Sequence, residues 1–308
     1  MKLSFVIPCY RSEKTIGTVV QEICDTIATR PGTDYEIVLV NDCSPDNVWQ
    51  VIKRLAAEDC HIKGICLAKN FGQHSALMAG YGQTTGDYVI SLDDDGQTPA
   101  NECFKLVDKL EEGFDVVYAC HIKSTQRVYR RFGSFINRKM AESLIGQPRN
   151  LRSSSFFVAR KFVVDQIIQY QNSFPYISGL IFRATKKIGS VEIQHRKRIV
   201  GESNYTMMSL LSLWMNGFTA FSVKPLRLAT YIGVLCAFLG LDSGVYIVVR
   251  KIMMPEMLVG YASIMSTMLF LGGMIMLILG LIGEYIGRIY ICINQSPQYV
   301  IRELTFKN

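Results

Sequence analysis

An α/β domain with a mostly parallel sheet, followed by interfacial and membrane-crossing helices, is what three features of this 308-residue chain predict. Short apolar runs alternate with amphipathic periodicities over roughly the first 120 residues. Three consecutive carboxylates, Asp93-Asp94-Asp95, close one of those runs. Two long stretches toward the C-terminus are nearly free of charge.

The apolar runs are Leu3 to Ile7, Glu36 to Val40, Gly64 to Ala68, Tyr88 to Leu92 and Val116 to Cys120. Short continuous apolar segments of this kind are strands buried on both faces. Between them, Ile16, Val19, Val20, Ile23 and Ile27 recur at helical spacing, as do Val48, Val51, Ile52 and Leu55. Strands alternating with such helices imply a parallel sheet covered on both sides. Ligands of these sheets bind beyond the carboxyl ends of the strands. That rule sets Pro8, Cys9 and Tyr10, then Asn41 and Asp42, then the acidic triplet, along one rim.

Adjacent carboxylates at the end of a buried strand repel one another, and only a cation or a strong donor set makes them tolerable. Alternate residues of an extended segment share a side, so Asp93 and Asp95 can converge on one ion while Asp94 faces away. Hard oxygen ligands suit Mg2+ or Mn2+, ions commonly shared with substrate phosphates. Taken alone, the triplet is also compatible with a solvated acidic turn.

Beyond residue 120, Arg127, Arg130, Arg131, Arg138 and Lys139 cluster with Val128, Phe132, Phe135 and Ile136. This is either a solvated basic face or a surface resting on lipid headgroups. Thr206 to Val223 are uncharged, with a polar stripe of Ser209, Ser212, Asn216 and Thr219, and read as an interfacial helix. Leu228 to Val249 carry a single charge, Asp242, and Met257 to Gly283 carry none. Each stretch reaches the ~20 residues a helix needs to cross a bilayer. Lys224, Arg227, Arg288, Arg302 and Lys307 flank the two spans, against Arg250 and Lys251 between them, which favours cytoplasmic ends. Met1-Lys2 lead straight into the first strand run, so no signal peptide is expected. The net charge of +7 fits a basic face against anionic lipid better than a nucleic-acid partner. Nine cysteines without a CxxC pair or zinc spacing point to reduced, mostly buried thiols.

Several segments, in order, resemble the family-2 glycosyltransferases of the polyprenyl-phosphate (dolichyl- or undecaprenyl-phosphate) type. Val6-Ile7-Pro8-Cys9-Tyr10-Arg11-Ser12-Glu13 is similar to V-P-x-Y-N-E, with Arg11-Ser12 where Asn is usual. Val40 to Asp46 resembles V-D-D-G-S-x-D, and Lys69-Asn70-Phe71-Gly72-Gln73 with Ala79-Gly80 resembles R/K-N-F-G-Q followed by A-G. Gly86-Asp87 leads to Leu92-Asp93-Asp94-Asp95-Gly96-Gln97, similar to D-A-D-L-Q. Arg198 to Tyr205 resembles R-x-x-G-x-S-K-Y, and Gly283 to Tyr290 resembles the segment closing the second span. The resemblance covers essentially the whole chain.

It implies a GT-A nucleotide-sugar-binding domain over 1–205, an interfacial amphipathic helix over 206–227, two transmembrane helices within 228–283 and a cytoplasmic tail over 284–308. It implies inverting, metal-dependent transfer of a sugar, from a UDP-sugar, to a polyprenyl phosphate at the inner membrane by a homo-oligomer, a tetramer in some members. The resemblance assigns donor binding to Pro8, Tyr10, Glu13, Asp42, Lys69, Asp93, Ser203 and Tyr205. It assigns the metal to Asp93 and Asp95, and catalysis to Asp94, Asp95, Gln97 and Arg198. Arg198 and Tyr205 suit phosphate, which a guanidinium meets bidentately.

Two departures stand out. Asn204 occupies a position where the family has Lys. Ser154-Ser155-Phe156-Phe157-Val158 aligns with S-D-F-R-L, so the aspartate proposed there as a base is absent. A lipid phosphate is already anionic at neutral pH and can attack without deprotonation, whereas a hydroxyl acceptor needs a base. The departure therefore favours a phosphate acceptor, with Asp94 as the one alternative base. Extension of an envelope saccharide and non-catalytic sensing of sugar nucleotides are the competing readings.

Overall fold

The computed structural model describes residues 1–121, 151, 154–173, 175–193, 224–254, 260–294 and 296–306. The chain divides into two compact units, Met1–Leu210 with Gln295–Asn308, and Leu211–Asn294.

The first unit is built on eight strands: β1 (Lys2–Cys9), β2 (Asp34–Asn41), β3 (Ile62–Leu67), β4 (Tyr88–Ser91), β5 (Val116–His121), β6 (Phe157–Arg160), β7 (Ile188–Ile193) and β8 (Ile301–Leu304). Their order across the sheet is β7-β5-β6-β4-β1-β2-β3-β8. All five apolar runs read from the sequence are strands. The pairs β1–β2, β1–β4, β2–β3 and β5–β7 are parallel, whereas β6 runs antiparallel to both β4 and β5, and β8 antiparallel to β3. The sheet is thus mixed, with a parallel centre.

Helices α1 (Ile16–Ala28), α2 (Val48–Glu58) and α4 (Cys103–Glu111) meet one face, where Leu3, Phe5 and Ile7 join Ile16, Ile23, Ile52 and Leu106 in one core cluster. Alternate residues of β1 face the other side. There α3 (Gln73–Tyr81) packs on β1 and β2, close enough that a Cβ on Gly80 would lie 3.1 Å from Val40 Cγ2 and nearer still to Val6. The glycine of the A-G motif is thus a close-packing position. Two shorter helices, α5 (Lys161–Ile168) and α6 (Ile177–Ala184), complete the described part of this unit.

The end of the sheet away from the strand carboxyl termini is locked by an ion pair between buried Glu36 and partly exposed Lys63. Glu36 is 3% exposed. Its Oε1 accepts from Ser4 Oγ (2.6 Å), Thr85 N (2.5 Å) and Thr85 Oγ1 (3.1 Å), and its Oε2 from Lys63 Nζ (2.7 Å). Gly86 N donates in turn to Ser4 Oγ (2.9 Å), and Asp87 Oδ2 accepts from Lys2 N (2.8 Å). The Gly86-Asp87 motif therefore fastens the entry of β4 to that of β1.

The second unit holds α7 (Lys224–Met253) and α8 (Tyr261–Ile293), which pack against each other. Among the described residues, Phe270–Ile293 is long and apolar enough to cross a membrane. Tyr231, Phe238, Met268 and Met276 are all more than 60% exposed, an apolar surface that water does not favour. The interfacial segment read at 206–223 and the basic cluster around Arg127 lie outside the described residues.

Burial alone would raise the Glu36 carboxyl, but the bonds from Lys63, Ser4 and Thr85 outweigh it and bring the pKa from 4.5 to about 2. A depressed carboxylate stabilises the fold above its unfolded pKa, and that contribution fades as pH falls toward the folded one. Glu36→Gln is expected to cost about 3 kcal/mol at pH 7. Denaturant titrations should show the deficit shrinking between pH 4.5 and about 2; a deficit independent of pH would contradict this assignment.

Candidate active site

The carboxyl ends of β1, β2 and β4 open onto one rim, closed on its far side by the N-terminus of α3. Asp42 follows β2 directly and is 3% exposed. Its Oδ1 accepts from Phe71 N (2.7 Å) and its Oδ2 from Gly72 N (2.8 Å). Gly72 has φ 88°, a left-handed conformation that glycine adopts without a Cβ penalty, and it caps α3. Burial pushes the Asp42 carboxyl up, and the two amides pull partly against it. The strand-end aspartate thus holds the Lys69-Asn70-Phe71-Gly72 loop in place.

The acidic triplet leaves β4 in three directions. Asp93 Oδ1 accepts from Gln73 Nε2 (2.9 Å), the first residue of α3, and Oδ2 accepts from Ser155 Oγ. Asp94 turns toward β1 and accepts from Tyr10 N (2.9 Å). Desolvation pushes its carboxyl up to about 6, with the Asp93 charge adding to the shift. Asp95 Oδ1 accepts from Gln97 N (3.0 Å), closing the turn through Gly96. Asp94 points away from the partners of Asp93, but residues 94 and 95 lie in a turn rather than an extended segment, so the turn and not strand alternation sets their directions.

A second network joins the exits of β1 and β2. Ser44 Oγ donates to Asp46 Oδ1 (2.6 Å), and Asp46 Oδ2 accepts from Glu13 N (2.9 Å). Glu13 Oε2 accepts from Asn47 N (3.2 Å) at the start of α2. Glu13 therefore sits at the rim as a brace between two loops. Pro8 is buried in β1, whose pairing with β4 ends at Val6, so its missing N–H interrupts no bond to β4. Tyr10 is 44% exposed beside it. Lys69 is exposed, with Nζ 4.9 Å from the Phe71 ring centroid.

The structure brings together Pro8, Tyr10, Glu13, Asp42, Asp93, Asp94, Asp95 and Gln97, with Lys69 on the adjoining loop. Arg198, Ser203 and Tyr205 lie outside the described residues. Sequence reasoning gave no role to Ser155, Ser44 or Asp46, and quoted Gln73 only as a motif letter. Ser155 stands at the very place where the family aspartate is missing, and that was the available signal.

The donor chemistry fits a hard divalent cation. Asp93 and Asp95 supply carboxylate oxygens, and Asp93 is oriented by two neutral donors. Such a rim on a mixed sheet defines a glycosyltransferase of the GT-A type.

Comparison with known proteins agrees. Residues 4–168 match the family model described as glycosyl transferase family 2, and residues 224–289 match the GtrB C-terminal hairpin. The undecaprenyl-phosphate 4-deoxy-4-formamido-L-arabinose transferase of Klebsiella pneumoniae (strain 342) is 30% identical over 306 residues, covering 98% of this chain and 93% of the relative. The Yersinia enterocolitica protein of the same name is 31% identical over 308 residues, with the same coverage. The fold is shared with mannosyl-3-phosphoglycerate synthase from Rubrobacter xylanophilus (TM-score 0.52, 16% identity, 70% of this chain and 71% of that one). It is also shared with the Mycobacterium tuberculosis glucosyl-3-phosphoglycerate synthase solved with Mn2+, UDP-glucose and phosphoglyceric acid (TM-score 0.51, 16% identity, 70% and 79%). The chain belongs to glycosyl transferase family 2.

Asp42→Ala removes the acceptors of two amides at the cap of α3. A loss of about 2 kcal/mol in stability is expected, together with faster hydrogen exchange at Phe71 and Gly72. Unchanged exchange there would show that Asp42 does not hold the loop.

Proposed function

We propose that this glycosyltransferase moves a sugar, with inversion, from a UDP-sugar to a polyprenyl phosphate at the cytoplasmic face of the inner membrane. The product is a polyprenyl-phosphate-linked sugar. The observation that carries this reading is the convergence of Asp42 and the oriented Asp93 on one rim, in a chain that also matches the GtrB C-terminal hairpin and bears one described helix apolar enough to cross a membrane. The relatives named above act on undecaprenyl phosphate, which supports the same acceptor class here.

Asp42, with one amide on each oxygen, has further lone pairs for the nucleoside. Tyr10 offers its exposed ring to the base, Lys69 its ammonium to the phosphates, and Gln97 helps to order the metal-side turn. Arg198, Ser203 and Tyr205 are proposed to complete the phosphate contacts. Asp93 and Asp95 would hold Mg2+ or Mn2+, which when bound offsets charge on the departing diphosphate. An acceptor phosphate oxygen attacks the sugar C1 as the bond from C1 to the diphosphate oxygen breaks, and the nucleoside diphosphate leaves with the electron pair. Ser155, a neutral donor to Asp93, adds no charge that would repel the incoming lipid phosphate. No proton need be removed from that phosphate, so Asp94 can spend its carboxylate on the Tyr10 amide.

Strand β8 follows the hairpin yet pairs with β3, which supports an even number of membrane crossings between β7 and β8. Crossings by α7 and α8 then leave residues 206–223 on the cytoplasmic surface, within the interfacial element proposed over 206–227. The segment after α8, which includes β8, returns to the catalytic side, in a multi-pass protein whose catalytic domain is cytoplasmic. The family resemblance supports assembly as a homo-oligomer.

Purified protein given labelled sugar nucleotides, polyprenyl phosphate and Mn2+ is expected to yield lipid-extractable label from one donor. EDTA should abolish the transfer, and Mn2+ or Mg2+ should restore it. Asp95→Asn should lower transfer by about 100-fold or more with an unchanged circular-dichroism spectrum. No extractable label from any donor would sink the acceptor assignment, and full activity in Asp95→Asn would sink the metal role.

A further inference from the structure

The rim carries a cation that its carboxylates leave alone. Arg11 lies two residues past the end of β1 and has φ 58°, where non-glycine residues are uncommon. Cys43, two residues past β2, has φ 50°. Such backbone costs of order 1–2 kcal/mol per residue and persists only where the surroundings fix it. Here they do: Tyr10 N is held by Asp94 Oδ2 (2.9 Å), and Arg11 N by Ser44 Oγ (2.7 Å), itself anchored on Asp46 Oδ1 (2.6 Å).

The side chain so displayed is exposed, with Cζ 5.5 Å from the Tyr10 ring centroid. Among the described residues its guanidinium makes no ion pair and no hydrogen bond, although Asp94 holds the neighbouring Tyr10 amide and Asp46 anchors the serine that holds the Arg11 amide. Those carboxylates turn their oxygens to backbone amides and a serine hydroxyl instead. A nucleotide's diphosphate would add negative charge to a rim that already holds Asp42, Asp93, Asp94 and Asp95. One divalent ion offsets only part of that sum, and a fixed cation beside it offsets more.

We propose that Arg11 binds the diphosphate of the nucleotide donor alongside Lys69, offering it a planar guanidinium that no carboxylate of the rim occupies. The inference rests on the donor reading above and adds a specificity residue to it. The strained backbone holds the arginine in position before the ligand arrives. The contact to Tyr10 is then the ligand-free resting place of the guanidinium.

Full-length protein in detergent with MnCl2, titrated with UDP by calorimetry and with uridine by ligand-observed NMR, separates the possibilities. Arg11→Ala is expected to weaken UDP about tenfold and to leave uridine unchanged, with Arg11→Lys recovering part of the loss. Arg11→Gly relieves the backbone strain and should lose UDP to the same degree as Arg11→Ala. Wild-type UDP affinity in Arg11→Gly or Arg11→Ala would overturn the inference, as would equal weakening of UDP and uridine. Failure of the unaltered protein to bind UDP would overturn the donor reading and the Arg11 role together.

Discussion

Crowded negative charge at the carboxyl end of the sheet is the constraint around which the site is arranged. Asp42, Asp93, Asp94 and Asp95 come together because β2 and β4 end side by side with β1 between them. Their mutual repulsion is met by assigning each a donor from a different part of the chain. Asp42 takes the amides of Phe71 and Gly72, Asp93 the side chains of Gln73 and Ser155, Asp94 the amide of Tyr10, and Asp95 that of Gln97. Each bond also fixes a loop, so the electrostatic problem and the loop geometry have one solution. Burial raises the carboxyls of Asp42 and Asp94, and the Asp93 charge adds to the shift at Asp94.

The opposite end of the sheet shows the contrasting arrangement. Glu36 is satisfied internally by Lys63, Ser4 and Thr85, and its pKa falls rather than rises. One end of the fold is electrostatically closed, and the other is left open to a ligand. The antiparallel strand β8 covers the edge of β3, with Thr305 and Gly64 exchanging two further hydrogen bonds (2.8 and 3.0 Å) and Trp49 Nε1 donating to Glu303 Oε2 (3.0 Å). An exposed sheet edge is thereby paired by the segment that follows the hairpin.

The central strands were legible because each is a short apolar run between helical periodicities, and Asp42 and the triplet because they terminate such runs. Strands β6 and β8 were not, since four residues with Arg160, or with Arg302 and Glu303, give no clear period. The donors to Asp93 were equally hidden. Gln73 and Ser155 are 20 and 62 residues away in sequence, and only the register of α3 and β6 against β4 brings them to one carboxylate. The roles of Glu13 and Asp46 as loop braces were masked by motif letters that suggest direct ligand contact. Likewise the Ala79-Gly80 and Gly86-Asp87 motifs prove to serve packing and strand entry.

The central claim is that Asp93 and Asp95 are the rim carboxylates that share a divalent ion with the donor diphosphate. Pulsed electron paramagnetic resonance of Mn2+ bound to the protein with UDP reads this contact directly. Phosphorus hyperfine coupling is expected in the unaltered protein, and loss of the bound-Mn2+ signal in both Asp93→Asn and Asp95→Asn. An undiminished Mn2+ signal with intact phosphorus coupling in those variants would contradict the claim.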